Sequence, residues 1–539
     1  MLLHISISSP SRCVLPLASS SYSQILSLGF RRPPPLVSRP YRAPKFSIVC
    51  SISQVHNYGT VDYERRPVLK WSALYRRISL MEDPSLGSSG VLDQWEEEGR
   101  KLSKWDLCRV VKELRKFRRF KLALEVYEWM IDHGDRFKLN SSDAAIQLDL
   151  ISKVHGISSA EDYFSGLPEA LKDKRTYGSL LNAYVQAKMK EKAEAVIEEM
   201  WKGGYMTEVL PYNVMMTLYM NTKEQEKVLS MIAEMKENGI PLDIYSYNIW
   251  ITSYGAMGDV EKMEEVVQQM TEDSRITANW TTYSTLASMY IKHGHFEKAE
   301  KCLRDVELRI TGRDRTPFNY LLSLYSNIGE KDEVYRIWNY YKSSFPSIPN
   351  MGYHSMISSL ARLGDIEGAE AVYEEWLSVR SSYDPRICNI LMGWYIKEGL
   401  LKKAEDFFDH MRETGVRPNP NTWEILAEGY VREKQISKAL SCMKEAASIK
   451  RFQVWQPRPA NVAALLVLCE EQADTVSMDM MVDVLRKAGC LDIEAYRSLV
   501  GTDVRPAMAV DGLNLGLEGN ESDGDGENEM LLKQHHASL

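Results

Sequence analysis

A tyrosine recurs about every 35 residues along this chain, and no other feature of the sequence constrains the fold as strongly. Successive steps are 35 or 36 residues, with Leu360 in one place of the series: Tyr184, Tyr219, Tyr254, Tyr290, Tyr325, Tyr395 and Tyr430. Four residues later a glycine follows in five repeats, at Gly258, Gly294, Gly329, Gly364 and Gly399. Small residues come five positions after that, at Ala299, Ala369 and Ala404, and at Ala193 and Ala439 in repeats without the glycine. A fixed period of this length predicts a stack of similar supersecondary units.

Each unit is predicted to be a helix, a tight turn and a second helix. In residues 244–279 two apolar series at helical spacing lie on either side of Gly258: Tyr247, Ile249, Ile251 and Tyr254, then Val260, Met263, Val266, Val267 and Met270. Neither helix buries its apolar stripe alone, whereas stacked neighbours form one continuous core. The sequence therefore predicts an all-α solenoid of helix-turn-helix repeats of about 35 residues.

The period also divides the chain into segments of different character. We predict an organelle transit peptide, a linker, two degenerate helical repeats, eight clear repeats, a degenerate helical cap and an acidic disordered tail, over 1–60, 61–102, 103–173, 174–455, 456–505 and 506–539, respectively. The tail consists largely of Gly, Asp, Glu and Asn, a composition that cannot bury a core.

The first 60 residues have the composition of a transit peptide. They are rich in serine, carry six basic residues and contain no acidic residue, since the first acid is Asp62. Pro33 to Pro35 and the scattered arginines interrupt any apolar core of the kind that a secretory signal needs. Ile48 to Ser51 resembles a chloroplast processing site, so we expect import into the chloroplast, with the mitochondrion as the alternative.

The charge balance of the repeats argues against a wide surface that binds the phosphate backbone of nucleic acid. The formal net charge is −8. Residues 1–60 contribute six positive charges, and residues 507–539 contribute seven acids against Lys533, which leaves −8 for residues 61–506. A non-specific nucleic-acid binder is usually basic, although recognition of base edges does not need a basic surface. No apolar run is long enough to cross a bilayer, so no membrane span is expected.

A search for catalytic and metal-binding patterns finds no support for either activity. The eight cysteines are scattered, and no two are spaced three apart as in a zinc knuckle or redox pair. His293 and His295 flank a turn glycine, where polarity explains them. A phosphate-binding glycine loop, a His-Glu-x-x-His motif and the zinc deaminase motifs are absent from the sequence. We predict a protein that is not an enzyme and that needs no cofactor or metal.

Two sets of polar residues recur where packing does not require them. The first set lies six residues before each place in the tyrosine series: Gly178, Asn213, Asn248, Ser284, Asn319, His354, Asn389 and Glu424. The second set immediately precedes the first helices: Asp173, Glu208, Asp243, Asn279, Asp314, Asp384 and Asn419. Helix N-capping explains much of the second set. It does not explain the first, in which asparagine, a poor helix former, offers a donor and an acceptor suited to the edge of a base.

These repeats resemble the pentatricopeptide repeat. The resemblance is carried by Asp243, Asn248, Tyr254, Gly258 and Met270, and again by Asp384, Asn389, Gly399, Ala404 and Met411. It covers about residues 103–490. The tetratricopeptide repeat is the nearest alternative, but its period is 34 and its Trp-x-x-Leu-Gly pattern is absent. Residues 142–151 and 160–164 resemble a plant organellar subgroup with pure repeats, the P class.

The resemblance implies a right-handed superhelix that binds single-stranded RNA, one base per repeat. Each base is then contacted by a reading pair, which is the early polar residue of one repeat and the residue just before the next repeat. The implied pairs are Asn213/Asp243 for uracil, Asn248/Asn279 and Asn389/Asn419 for pyrimidines, and Ser284/Asp314 for guanine. Asn319 has an uncertain partner, Pro349 or Asn350. His354/Asp384, Gly178/Glu208 and Glu424 match no base preference.

The sequence also departs from the family pattern. The valine that usually sandwiches the bases is replaced at all eight positions: Arg175, Leu210, Tyr245, Thr281, Thr316, Met351, Arg386 and Asn421. The cation that the family uses for phosphate corresponds to Lys292, Arg362, Lys397 and Arg432, and the other four positions are uncharged. Helix C-terminal placement is an equally good explanation of these cations.

The expected function is sequence-selective binding of single-stranded organellar RNA, which would support transcript stability, processing, splicing or translation. Other RNA-processing proteins are possible partners. The alternative is a protein-binding scaffold of tetratricopeptide-like helical repeats without base reading, which the acidic balance and the missing sandwich residues favour.

Overall fold

The computed structural model describes residues 70–500, apart from 82, 84–85, 313, 380–382, 450–454 and 492. The transit peptide predicted for 1–60 and the disordered tail predicted for 506–539 lie outside the described residues. Within them, 25 α-helices and one short 3-10 turn are present, and no β-strand is found. The all-α fold of helix-turn-helix repeats is therefore confirmed.

The eight clear repeats each contain two helices of 13 or 14 residues. The first helices are α7 Lys174–Gln186, α9 Val209–Asn221, α11 Ile244–Met257, α13 Trp280–Lys292, α15 Thr316–Ile328, α17 Asn350–Arg362, α19 Pro385–Lys397 and α21 Pro420–Arg432. The second helices are α8 Lys190–Lys202, α10 Gln225–Glu237, α12 Val260–Glu272, α14 Phe296–Leu308, α16 Lys331–Ser344, α18 Ile366–Val379, α20 Leu401–Glu413 and α22 Ile436–Ser448.

Further helices precede and follow these repeats. Before them lie α1 Lys70–Ser79, α2 Gly87–Glu97, α3 Lys104–Lys116, α4 Phe120–Asp132, α5 Ser141–Val154 and α6 Ile157–Gly166, and the 3-10 turn Glu169–Leu171. After them lie α23 Pro459–Glu471, α24 Thr475–Lys487 and α25 Glu494–Val500. None of the described helices is long and apolar enough to cross a membrane.

The first helices pack against one another in one layer. Each first helix from α5 to α23 contacts the next first helix, and each also contacts its own second helix. One continuous apolar core runs through the stack from Leu148 to Tyr496, as expected when neighbouring repeats bury each other's stripes. The tyrosines and alanines of the period lie at this core: Tyr325 and Tyr395 are almost fully buried, as are Ala299, Ala369 and Ala404.

The turn between the two helices of a repeat needs one residue in the left-handed conformation. The five turn glycines have φ values between 73° and 98°. In repeats that lack glycine, Lys188, Lys223 and Lys434 occupy the same place with φ values of 56° to 60°. Non-glycine residues adopt this conformation at a steric cost. The turn geometry is therefore retained even where the sequence does not favour it.

The period tyrosines also carry a polar contact between repeats that the sequence analysis did not predict. The Tyr395 hydroxyl donates to Glu370 Oε1 at 2.6 Å, and Lys403 Nζ lies 2.6 Å from the same oxygen. The same arrangement occurs with Tyr219, Glu194 and Lys227, with Tyr290, Glu264 and Lys298, and with Tyr430, Glu405 and Lys438. Each lysine also lies over the tyrosine ring. Burial and the adjacent carboxylate raise the pKa of Tyr219 to about 12. These tyrosines thus link three elements of neighbouring repeats.

The interpretation of residues 61–102 as a linker needs correction. This segment contains α1 and α2, and Leu74, Ile78, Leu92 and Trp95 are buried in a second apolar core together with residues of α3 and α4. The two helices were missed because they precede the first tyrosine of the period, so no repeat pattern marks them. Their apolar stripes are nevertheless sufficient to pack against the first degenerate repeat.

Candidate nucleic-acid interface

The predicted reading pairs lie in the layer of first helices. An early polar residue such as Asn213 is the fifth residue of its first helix, and the residue preceding the next first helix, such as Asp243, lies beside it because α9 and α11 pack together. Five members of the second set cap the following helix through side-chain hydrogen bonds: Asp173, Asp243, Asn279, Asp384 and Asn419. Capping therefore accounts for these five residues, and Asp243 and Asn419 also bond to an early asparagine of the preceding repeat.

Asn213 and Asp243 are brought together directly. The Asn213 amide Nδ2 donates to both carboxylate oxygens of Asp243, at 3.1 and 3.2 Å, and Asn213 is 2% exposed. The Ser246 hydroxyl, at 2.8 Å from Asn213 Oδ1 and 3.0 Å from Asp243 Oδ1, joins the two side chains. We call such a pair, completed by the hydroxyl three residues after the cap, a closed pair.

Asn389 and Asn419 form a second closed pair with the same geometry. Asn389 Nδ2 donates to Asn419 Oδ1 at 3.3 Å. The Thr422 hydroxyl lies 2.8 Å from Asn389 Oδ1 and 3.0 Å from Asn419 Oδ1. Thr422 therefore corresponds to Ser246. The recurrence of one arrangement in repeats five periods apart shows that the repeat itself builds it.

Asn248 and Asn279 are arranged differently. Asn248 is 2% exposed, and its Oδ1 is buried without a hydrogen-bond partner. Asn279 caps α13 by accepting from the Thr282 amide at 3.1 Å, and the Thr282 hydroxyl is only loosely placed, 3.4 Å from Asn279 Oδ1. We call a pair whose early asparagine keeps an unsatisfied oxygen an open pair.

Asn319 is a second open position, and the following repeat explains why. Its Oδ1 is also buried without a partner. Of the two candidate partners, Pro349 is the residue that precedes α17 and has no polar side chain, while Asn350 Oδ1 accepts from Trp376 Nε1 at 2.9 Å. Gly352 occupies the place of the hydroxyl that completes a closed pair. The first turn of the next helix therefore decides whether a pair closes.

Two further predicted pairs are held in other ways. The Ser284 hydroxyl donates to Trp280 O of its own helix, α13, at 2.9 Å. Asp314 accepts from the amide of Thr316, the first residue of α15, at 2.9 Å. Each side chain therefore bonds to a different helix. Asp384 is paired with Arg386 at 2.8 Å. Burial acts to raise the pKa of Asp384, but the hydrogen bond and charge of Arg386, with a smaller contribution from the charge of His354, outweigh it and lower the pKa.

Two of the residues without a base preference, Glu208 and Glu424, are explained as structure. Glu208 pairs with Lys174 and makes no side-chain cap. Glu424, 3% exposed, accepts from the backbone amide of Arg458 at 2.6 Å and from Asn461 Nδ2 at 3.0 Å. Its carboxylate therefore binds the N-terminal end of α23 and joins the last clear repeat to the C-terminal helices.

The positions that replace the sandwich valine differ widely in exposure. Thr281 is buried, Tyr245 is half-buried, and Arg175, Met351, Arg386 and Asn421 are exposed. Burial, followed by the charge of Asp243, raises the pKa of Tyr245 to about 12. Tyr245 thus lies close enough to Asp243 for the charge of that carboxylate to act on its phenol.

The four predicted phosphate-binding cations are all exposed, but two have other contacts. Arg362 Nη1 donates to the Ser326 hydroxyl at 2.7 Å. Arg432 pairs with Glu428 at 2.8 Å. Lys292 and Lys397 form no ion pair with an acid in the part of the chain that the structure describes. Lys292 and Lys397 are therefore the cations best placed to meet a phosphate.

No group of three or more metal-ligating side chains occurs among the residues that the structure describes. Burial raises the pKa of the Cys302 and Cys442 thiols to about 12, so both are protonated at neutral pH. The geometry offers hydrogen-bonding groups in series along the first helices, a pattern suited to binding.

The hydroxyls of Ser246 and Thr422 were not among the residues predicted from the sequence. The signal was present, because serine or threonine at the third position of a helix after Asp or Asn forms a reciprocal cap. The same hydroxyl at Thr176 and Thr282 follows Asp173 and Asn279. What the sequence could not indicate is that this hydroxyl also reaches back to the preceding repeat.

Comparison with known proteins identifies the repeat. The PPR repeat model matches residues 175–205, 245–274, 281–309 and 352–379, and the PPR repeat family model matches residues 208–256 and 384–432.

Full-length relatives were also found in Arabidopsis thaliana. A pentatricopeptide repeat-containing protein is 59% identical over 491 residues, covering 91% of this chain and 93% of the relative. The large ribosomal subunit protein mL101 is 42% identical over 446 residues, covering 82% and 90%. A mitochondrial pentatricopeptide repeat-containing protein is 34% identical over 424 residues, covering 78% and 86%.

Among solved structures, the chain is similar to the pentatricopeptide repeat protein PPR10 in complex with an 18-nucleotide psaJ RNA element. The identity is 18% and the TM-score 0.47, with coverage of 78% of this chain and 60% of that one. This chain therefore spans less than two thirds of the length of that solved protein.

Proposed function

This chain belongs to the pentatricopeptide repeat family, and from that premise we propose that it binds single-stranded RNA through the side chains of its first helices. The observation that carries the proposal is the open pair, in which Asn248 or Asn319 of a first helix keeps a buried side-chain oxygen that has no hydrogen-bond partner among the described residues. Amide groups in such pairs present donors and acceptors suited to the edges of bases. The proposed function is binding alone and involves no catalytic step.

The proposed base-reading residues are the predicted pairs, and the proposed phosphate contacts are Lys292, Arg362, Lys397 and Arg432. Asn213/Asp243, Asn248/Asn279 and Ser284/Asp314 follow one another along the stack, so a uracil, a pyrimidine and a guanine in succession form the proposed core site. Asn319, His354/Asp384 and Asn389/Asn419 extend the site toward the C-terminal repeats.

We propose that the RNA is an organellar transcript. The composition of residues 1–60 supports import, and one relative is named as mitochondrial. A fusion of residues 1–60 to a fluorescent protein tests this: chloroplast import is the expected result, mitochondrial import supports the alternative, and a cytosolic signal contradicts both.

The RNA proposal is tested by titration of the purified chain with a labelled single-stranded RNA that contains the uracil–pyrimidine–guanine core. Tighter binding to this RNA than to its scrambled counterpart is expected, and Asn213→Ala and Asn248→Ala should each weaken it. Equal affinity for both RNAs, unchanged in the two variants, contradicts base reading. Lys202→Gln is a matched surface control, because Lys202 is exposed on a second helix.

A second candidate is a protein-binding scaffold within a larger assembly. It is favoured by the closed pairs, whose polar groups already bond each other, and by the similarity to a protein named as part of a large ribosomal subunit. Partner proteins, such as other RNA-processing proteins, would then remain bound to the tagged chain after nuclease treatment. Loss of every partner on nuclease treatment contradicts this candidate and supports RNA as the direct ligand.

A further inference from the structure

The strongest concentration of positive charge among the described residues lies outside the predicted reading pairs. Residues 101–121, which form α3 and the turn into α4, contain nine Lys or Arg and two acids. This is the reverse of the acidic balance of the repeats as a whole. Such a local cluster of positive charge affects which partners the chain binds and not how it folds, because it raises the local positive potential.

The cations share their surface with exposed aromatic rings. Trp105, Arg109, Lys112 and Lys116 recur at helical spacing along one side of α3. Trp105 is 61% exposed and Phe117 is 50% exposed. We call this surface of α3, with the adjoining turn through Lys121, the basic aromatic face.

The first helix completes this face. The Arg109 guanidinium lies 5.3 Å from the Trp71 ring and 5.8 Å from the Trp105 ring, so it is held between α1 and α3. Tyr75 of α1 lies 6.1 Å from Phe117. The aromatic rings and the guanidinium thus form one continuous surface, which the linker interpretation of residues 61–102 would not have predicted.

The acids near this face already lie close to cations, and Glu113 is the one whose cation, Lys116, belongs to the exposed part of the face. Asp143 pairs with Lys104 at 2.5 Å, and Asp149 pairs with Arg115 at 3.1 Å and with Lys153 at 2.7 Å. Glu113 lies 3.9 Å from Lys116. Asp106 caps α3 through Ser103 and lies 3.8 Å from Lys70.

The remaining cations have few partners within the described part of the chain. Lys112 and Lys121 are exposed and form no ion pair with a described acid. Arg119 is exposed and donates only to a backbone carbonyl, that of Ser79, at 2.7 Å. The face therefore keeps a net positive charge beside stackable rings.

We propose that the basic aromatic face is a second contact site for single-stranded nucleic acid, with bases stacked on Trp105 and phosphates held by Lys112, Lys116 and Lys121. Exposed rings interleaved with cations are the arrangement that binds single strands without base preference. The face begins the layer of first helices, since α1 contacts α3 and α3 is bound to α5 through Arg115 and Asp149. An RNA held by the reading pairs would thus gain sequence-independent affinity from this end. This site rests on the proposed RNA binding.

The test measures binding of a fluorescent single-stranded RNA of random sequence, roughly 24 nucleotides long, to the full chain over a range of salt concentrations. The variant Lys112→Gln/Lys116→Gln/Lys121→Gln should bind more weakly and lower the slope of log affinity against log salt by about 2, since each lost phosphate contact removes about 0.7. Trp105→Ala should weaken binding by at least about fivefold, and Trp105→Phe should restore most of it.

Matched controls remove the same groups elsewhere. Lys202→Gln/Lys402→Gln/Lys434→Gln removes three exposed lysines outside the first helices, and Trp201→Ala removes an exposed ring of α8. If the patch variants behave as these controls do while the wild type binds RNA, the second site is wrong and the proposed function stands. If the wild type does not bind RNA, both proposals fail. Unchanged melting temperatures of the variants are required for a loss of binding to count as support.

Discussion

The repeats beginning at Val209 and at Ile244 are neighbours with the same asparagine in the same place, yet the two side chains are in opposite states. Asn213 has all of its polar atoms near a partner in a closed pair, whereas Asn248 keeps a buried, unsatisfied oxygen. The difference does not come from the repeat that holds the asparagine. It comes from the first turn of the next repeat, where the Ser246 hydroxyl reaches back and the Thr282 hydroxyl does not.

The comparison suggests two roles for one position. A closed pair fixes the amide and acid relative to each other, and it adds hydrogen bonds across the repeat boundary. An open pair leaves an acceptor that costs free energy while it has no donor. An open pair therefore has more to gain from a donor on a base, and a closed pair has more to contribute to stability.

The largest effect is expected for Asp243→Ala. The change removes the cap of α11 and leaves the buried Asn213 amide without its partner, so we expect a loss of roughly 2 to 4 kcal/mol in local stability. Hydrogen exchange of α9 and α11, with the melting temperature, measures it. Asp259→Ala is the control, because Asp259 caps α12 and forms its ion pair with Lys262 of the same helix, and it should cost about 1 kcal/mol. Equal losses in the two variants would contradict the closed pair.

Replacing Asn213 or Asn248 by alanine should change the stability of the chain to different extents. Asn213→Ala should destabilise the chain by roughly 1 to 3 kcal/mol, because buried groups lose their partners. Asn248→Ala should be neutral or stabilising, since alanine is the better helix former and an unsatisfied oxygen disappears. Thermal unfolding of both variants gives the sign. A comparable loss of thermal stability in the two variants would mean that open and closed pairs contribute equally to stability.

A hydroxyl deletion isolates the third member of the closed pair. Thr422→Val keeps the shape of a fully buried side chain but removes the hydrogen bonds to Asn389 and Asn419, at a cost of about 1 kcal/mol. Thr282→Val is equally buried and loses one long contact only, so a smaller shift is expected. Should Thr282→Val melt at the lower temperature, the hydroxyl is not what closes the pair.

The smallest effect concerns the pair held by charge. The pKa of Asp384 is lowered, so its carboxylate contributes stability above its ordinary pKa of about 3.9 and loses that contribution as the pH falls through the folded value. Arg386→Gln should cost less than about 1 kcal/mol at neutral pH, because Arg386 is exposed. The difference in melting temperature from the wild type should shrink as the pH falls below about 3.9. A constant difference across this range would exclude the charge of Arg386 as its cause.

The sequence predicted the phase of the repeats because periodicity and turn glycine are local signals. It did not predict the left-handed turns at Lys188, Lys223 and Lys434, since lysine carries no preference for that conformation and packing of the two helices imposes it. Nor did it predict α1 and α2, which have no place in the tyrosine series.

For the candidate site, the sequence located the polar residues but not their state. From residue types alone, helix capping and base reading are alternative explanations of Asp243. In the structure Asp243 caps α11 and also accepts a hydrogen bond from Asn213. Whether a pair closes depends on a hydroxyl 33 residues away from the asparagine in sequence, as for Ser246 and Asn213. Such a contact follows from the stacking of repeats and is not visible in one repeat alone.

The segments between helices differ in how much length they tolerate. The turn inside a repeat keeps its left-handed residue at each of the eight repeats, with or without glycine. The connections between repeats vary: seven residues separate Glu272 from Trp280, and five separate Ser344 from Asn350. The step from Tyr254 to Tyr290 is 36 residues long, and its extra residue lies in the connection between Glu272 and Trp280. The helices on either side of this connection keep their usual length of 13 residues. Insertions and deletions over evolutionary time, and repeats joined by design, should therefore be accommodated between units, while a single added residue inside the turn would misalign every helix that follows.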